Sequence, residues 1–163
     1  MSTLRFNTWQ DTGGTEVANS TLGTGKILQV VRVTDTVDRA TTSTSFVDAS
    51  LSISITPTSS SSDILLMCVA FCDTRRSSSG NNLSVLQITD SSNVAIDGAE
   101  KMQFGETAGL VSQFSVTVCG FDSPATTSAT TYKLRFKANT AGTTAQIFGA
   151  QNTTQLYALE ISA

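Results

Sequence analysis

The chain has no histidine, and this absence removes several kinds of chemistry at once. Ser-His-Asp and Cys-His catalysis, zinc sites with imidazole ligands, and acid/base catalysis by imidazole are excluded within one chain. Only three cysteines occur, and their odd number and spacing predict neither a disulfide framework nor a four-ligand zinc site. We therefore expect a protein that is not an enzyme and holds no metal or cofactor.

Charged residues are also scarce, at 14% of the 163 residues, whereas about a quarter is usual. The net charge is −3, and the longest basic run is Arg75-Arg76. Binding to nucleic acid depends on clustered Lys and Arg side chains, so nucleic acid is not an expected partner. A surface made polar mainly by Ser, Thr, Asn and Gln favours packed protein contacts and extracellular exposure.

Long hydrophobic runs and helical patterns are missing as well. The longest apolar run, from Ile64 to Cys72, is about half of the ~20 residues that a helix needs to cross a bilayer, and we expect no membrane insertion. Apolar residues at three-and-four spacing do not recur over even three turns, which excludes a sustained helix.

Alternation with a period of two is what the sequence has instead. In Asp122 to Ala138 a turn containing Pro124 leads into a strand whose apolar side chains fall on one parity. SFVDASLSISITP alternates in the same way. KILQVVRVTDT and DILLMCVAFCD are apolar on both parities and predict strands that are covered on both faces. About eight strands with turns every eight to twelve residues predict an all-β sandwich, jelly roll or barrel.

The first 25 residues differ in composition from the rest. They carry few apolar side chains, and Leu4 and Phe6 share a parity that would suit a short added strand, with Trp9 directly after it. We predict an N-terminal attachment arm over residues 1–25, bound through Leu4, Phe6 and Trp9 to another protein surface or folded back on its own domain. Residues 26–163 would form the single β domain.

Acidic side chains close in sequence are weak candidates for chemistry. They are Asp35 with Asp38, Asp97 with Glu100, and a calcium-like group of Asp90, Asn93 and Asp97. All lie in predicted turns, where such residues are common because they bond to the backbone. The spacing of Asp90, Asn93 and Asp97 also departs from that of the twelve-residue calcium-binding loop. We therefore predict structural roles for them.

Two further groups have a functional and a structural interpretation. Lys133, Arg135 and Lys137 form a basic stripe on one strand face, which either contacts acidic groups of a neighbouring subunit or capsid, or is simply solvated. Cys68 and Cys72 lie on one strand about 13 Å apart, too far to form a disulfide. Together with Cys119 we predict them to be small buried hydrophobic residues.

Four stretches carry a resemblance to a known family: TSTSFVDASLSISITPTSSSSDILLM, VLQITDSSNVAIDG, FDSPATTSATTYKLRFKA and the closing YALEI. They resemble the small jelly-roll head domains of tailed phages, especially marine and cyanobacterial ones, which are related in shape to tumour necrosis factor-like trimers. The opening MSTLRFNTWQDTGG is similar to the short attachment segments of such virion proteins. The resemblance implies an antiparallel jelly-roll β-sandwich and a homotrimer, with Tyr132, Tyr157 or Phe148 as examples of residues near its axis.

The resemblance leaves two functions open. In one, the protein decorates the outer surface of the capsid as a cement trimer whose arm grips the major capsid protein. In the other, it is the receptor-binding head of a tail or capsid fibre and offers a loop such as Arg75 to Asn82, with Arg75 and Arg76, to a host-surface receptor. The shortness of the predicted arm favours decoration. An enzyme acting on host polysaccharide would need a carboxylate pair in a cleft.

Overall fold

A computed structural model of the chain describes residues 25–77, 80–106 and 110–163. These residues form ten β-strands and no helix. The predicted arm, with Leu4, Phe6 and Trp9, lies almost wholly outside the described residues. The strands are β1 (Ile27–Asp35), β2 (Arg39–Thr41), β3 (Val47–Ile55), β4 (Asp63–Arg76), β5 (Asn82–Asp90), β6 (Met102–Glu106), β7 (Val111–Asp122), β8 (Thr130–Ala138), β9 (Thr143–Ile147) and β10 (Thr154–Ile161).

The strands build two antiparallel sheets. In the six-stranded sheet, the long strand β4 pairs with β7 along one edge and with both β10 and β9 along the other. β1 pairs with β10, and β2 pairs with β9. The segment from β1 to β2 therefore acts as one interrupted strand, and so does the segment from β9 to β10. The four-stranded sheet has the order β3-β8-β5-β6.

Successive strands alternate between the two sheets in the manner of a jelly roll, except that β5 and β6 pair with each other in the four-stranded sheet. If β1 with β2 and β9 with β10 each count as one interrupted strand, eight strands remain, four in each sheet. The prediction of an all-β jelly-roll sandwich of about eight antiparallel strands is confirmed. Within the described residues no helix is long and apolar enough to cross a membrane.

The core lies between the sheets and is built from the inward parity of each strand. β3 and β8 show the alternation that the sequence predicts: Ile53 and Leu134 are buried, whereas Ser52 and Lys133 point away from the core. Burying such a Leu or Ile side chain contributes about 1.5–3 kcal/mol. Tyr132 is fully buried as well, and its hydroxyl donates to Asp122 Oδ2 over 2.6 Å.

A buried carboxylate closes one end of the core. The Glu160 side chain accepts hydrogen bonds from Gln29 Nε2 at 2.6 Å and from both the backbone N–H and the hydroxyl of Thr58 at 2.7 Å. Desolvation acts to raise the pKa of Glu160, but these hydrogen bonds outweigh it and lower the pKa to about 2. The carboxylate thus joins β1, β10 and the serine-rich loop between β3 and β4.

Two local predictions are wrong. The polar residues around Asp38 to Ser43 predict a turn, but this segment contains the short strand β2 because it pairs with β9. The apolar residues Val94 to Ile96 predict a strand, but they form no regular strand: Ala95 makes a single bridge to Thr89, and the N–H of Ile96 donates to Ile88 O.

Candidate functional site

Much of the outer face of the six-stranded sheet is apolar and open to solvent in the single chain, although Arg32, Gln155 and Thr117 lie on the same parity. Its side chains lie on the parity opposite to the core residues of β1, β4, β7 and β10. We call this surface the apolar face. Its members include Val30, Leu65, Met67, Val69, Phe71, Cys119, Phe121, Tyr157, Leu159 and Ile161.

The strand register aligns these side chains in rows that run across the sheet. One row joins Val30, Leu159, Leu65 and Phe121, each directly opposite the next. This row contains no polar residue, although Val30 is 55% and Phe121 44% exposed. Exposed apolar patches of this kind mark contacts with another protein or with a membrane.

The prediction that β1 and β4 are covered on both faces is wrong for the single chain. β4 is a central strand, but Leu65, Met67 and Val69 on its outer parity are only half-buried. β1 is an edge strand, and its outer side chains are exposed. β1 and β4 therefore have apolar side chains on both faces, although only their inner faces pack against the core.

An open groove of about 250 Å³ lies at one end of the apolar face. It is lined by Leu65, Cys119 and Phe121 together with Gly120 and the Asp97-Gly98 turn. A Cβ at Gly120 would lie 2.7 Å from the Cβ of Ala99, so glycine allows this turn to pack closely against β7. The groove is continuous with the apolar face through Leu65 and Phe121.

The opposite end of the same face is closed by charged and aromatic side chains. Arg75 Nε donates to both carboxylate oxygens of the fully buried Asp73 at 2.8 Å, and its guanidinium lies 5.5 Å from the centre of the Phe148 ring. Arg76 Nη1 donates to the carbonyls of Asn81 and Ala141. Both arginines are the last residues of β4 and are held by contacts within the chain. Their role in receptor binding stays a prediction.

The outer face of the four-stranded sheet has the opposite character. Ser52, Ser54 and Thr131 lie there beside the basic stripe of Lys133, Arg135 and Lys137. The structure brings the three basic residues together on the outward parity of β8. Lys133 has partners within the chain: its ammonium donates to Ser91 O and Asn93 Oδ1 and lies 4.0 Å from Asp48.

Phe46 belongs to this surface and was missed in the sequence. Its ring centre lies 6.0 Å from the guanidinium of Arg135 and 5.0 Å from the ammonium of Lys137. Phe46 stands just before the alternation of β3 begins, where the sequence pattern gives no direction for its side chain. Its position depends on the pairing of β3 with β8.

Three of the acidic candidates, Asp35, Asp38 and Asp90, make structural contacts in the described chain. Asp35 forms an ion pair with Arg39 at 2.9 Å, and Asp38 accepts the backbone N–H of Ala150. Asp90 accepts the N–H groups of two residues in its own turn. In the described ranges, His, Cys, Asp and Glu side chains form no group of three that could hold a metal ion.

The cysteine prediction is correct for two residues and wrong for the third. Cys68 and Cys72 are buried and unpaired, and burial raises the pKa of the Cys68 thiol to about 12. Cys119 is exposed on the apolar face opposite Met67, because β7 places it on the outer parity.

Of the residues named for the axis, Tyr132 is fully buried inside one chain and unable to reach a neighbour, whereas Tyr157 lies on the apolar face.

Comparisons with known proteins give partial likenesses to viral structures. No family model and no curated protein sequence matches the chain. Among solved structures, a mutant VP2 protein of infectious bursal disease virus in derived T=1 particles is 16% identical over 83% of this chain and 36% of that chain, with a TM-score of 0.35. The VP2 subviral particle of the same virus and its Gx strain give TM-scores of 0.32 and 0.33 at 16% and 17% identity.

The two last matches cover 83% of this chain and 38% and 37% of the viral chains. The chain therefore spans little more than a third of the length of the solved proteins that it matches. At these TM-scores the likeness carries no argument about function.

Proposed function

We propose that this chain is a non-enzymatic structural protein of a virion that self-associates through its apolar face. The observation that carries the proposal is the contrast between the two outer faces of the sandwich. One outer face is polar and suited to water, whereas the other exposes a continuous row of Val30, Leu159, Leu65 and Phe121. The four sequence stretches that resemble phage head domains support the assignment to a virion.

The proposed oligomer is a homotrimer. A closed ring of three copies needs two different patches on each copy, because each interface is heterologous. The apolar face supplies one patch. A second lies on the side of the sandwich formed by β6 and β7, where Met102 and Leu110 are 37% and 51% exposed. Packing the second patch of one copy on the apolar face of the next would bury both.

Within the virion, we propose that the trimer decorates the outer surface of the capsid. The N-terminal arm, with Leu4, Phe6 and Trp9, would anchor it to the major capsid protein, and the heads would add contact area to the shell. The fibre-head alternative has less support among the described residues, because Arg75 and Arg76 are already held by Asp73 and by backbone carbonyls.

Two measurements test this proposal. Sedimentation equilibrium of the full chain should give three times the protomer mass of 17.1 kDa, and a monomer would refute the self-association. Quantitative mass spectrometry of purified particles should find hundreds of copies, in proportion to the capsid area. A few tens of copies located at the tail would refute decoration and favour the fibre head.

A further inference from the structure

A second interaction surface lies on the four-stranded sheet, on the side of the sandwich opposite to the apolar face. Arg135 and Lys137 are two residues apart on the outward parity of β8, and both lie over the ring of Phe46. The Arg135 guanidinium is 6.0 Å and the Lys137 ammonium 5.0 Å from the ring centre. Two cations are therefore held side by side on one aromatic ring.

Neither cation forms an ion pair within the described part of the chain. Asp48 is the cross-strand neighbour of Arg135, but its carboxylate has other partners. One of its oxygens accepts the N–H of Ser50, and the other lies 4.0 Å from the Lys133 ammonium. Arg135 Nη2 donates to the carbonyl of Phe46, while its Nε is buried without a partner. Positive charge thus accumulates here although acidic residues outnumber basic ones by 13 to 10.

We propose that Arg135 and Lys137, supported by Phe46, bind the carboxylates of an extended acidic segment of a partner protein. Residues two apart along a strand are about 6.6 Å apart, and carboxylates at alternate positions of an extended peptide have the same spacing. The planar fork of a guanidinium fits a carboxylate, and the ammonium of Lys137 adds a second positive charge beside it.

This surface and the apolar face are independent. They lie on different sheets with the core between them, so the basic surface stays open when the apolar face is covered. A trimer would present three copies of it, which strengthens binding to a repetitive partner such as a shell by multivalency. Failure of acidic-segment binding would leave self-association untouched, and a monomeric chain would still carry the site.

The test measures binding of the full chain to a fluorescein-labelled peptide of alternating Glu and Ser, by fluorescence anisotropy at about 20 mM and about 200 mM salt. A peptide of alternating Gln and Ser has the same shape without charge. We expect the Glu peptide to bind, more weakly at the higher salt, and the Gln peptide not to bind. Absence of Glu-peptide binding at the lower salt would overturn the proposal.

Single substitutions locate the site. Lys137→Gln and Arg135→Gln should each weaken Glu-peptide binding about twofold to fivefold, as expected for the loss of one partly exposed charge pair. Lys26→Gln removes the same charge near the start of β1 on the other sheet and should change binding less than about twofold. Equal losses in all three variants would show nonspecific attraction and refute the site. Tighter binding of a heparin hexasaccharide through Arg135 and Lys137 would assign the surface to acidic polysaccharide instead.

Discussion

Placing one carboxylate on each outer face of the sandwich tests which face is covered by another copy. Val30→Asp puts a charge on the apolar face, and Ser52→Asp puts the same charge on the face of the four-stranded sheet. Val30 is 55% exposed in the single chain, so an aspartate there remains in water as long as the chain is a monomer. The two variants should therefore fold with similar stability.

Val30→Asp should cost much less free energy in folding than in association. Val30 has already buried about half of its side chain in the fold, and losing that burial costs about 1 kcal/mol of folding free energy. If a neighbouring copy covers residue 30, the carboxylate must instead be desolvated without a partner, which costs several kcal/mol per ion. A cost of about 3 kcal/mol would weaken each contact by more than a hundredfold.

Sedimentation velocity over a wide concentration range measures the association, and thermal unfolding followed by circular dichroism measures the fold. We expect the wild-type chain and Ser52→Asp to sediment as trimers, and Val30→Asp to sediment as a folded monomer. Trimeric Val30→Asp at the same concentrations would refute the role of the apolar face. Dissociation of both variants to the same extent would show a general effect of charge.

Three further predictions concern the core and the arm. Glu160→Gln should lower the free energy of unfolding by about 1–3 kcal/mol, because it removes the charge from a set of buried hydrogen bonds. Because the folded-state pKa of Glu160 is about 2 and its ordinary value is 4.5, this stabilisation is complete above about pH 4.5 and lost as the pH falls through about 2; urea unfolding across this range should show a decline in the wild type that Glu160→Gln lacks. Residues 26–163 should sediment as a trimer without the arm, and a monomer would assign assembly to the arm or the virion. Trp9→Ala should leave the head folded but release the protein from particles in a pelleting assay, and unchanged occupancy would contradict the anchor.

Much of the fold could be predicted because alternation is a local property. In β3 and β8 the polarity of each side chain predicts whether it points to the core or to water. This alternation can be read along one strand without knowing which strand lies beside it. β2 could not be predicted in this way, because three residues carry no period and Arg39–Thr41 become a strand only through β9.

The candidate surfaces were less visible than the fold. The basic stripe follows from alternation within β8, but the presence of Phe46 beside it depends on the pairing of β3 with β8. Glu160 gave no signal in the sequence, where it is one polar residue in an alternating strand. Its burial and its partners Gln29 and Thr58 arise only when β1, β10 and the loop after β3 come together.

The sequence by itself determined that the protein is all-β, that its strands have apolar inner faces, and that imidazole chemistry is absent, since these follow from residue types and their order. It also placed enough apolar residues in β1 and β4 to cover two faces. Only the tertiary structure decided that the second face stays open, that Cys119 points outward on it and that Tyr132 is used inside one chain. The reason is that exposure depends on which strands become neighbours, and strand order joins residues more than a hundred positions apart, such as Val30 and Leu159.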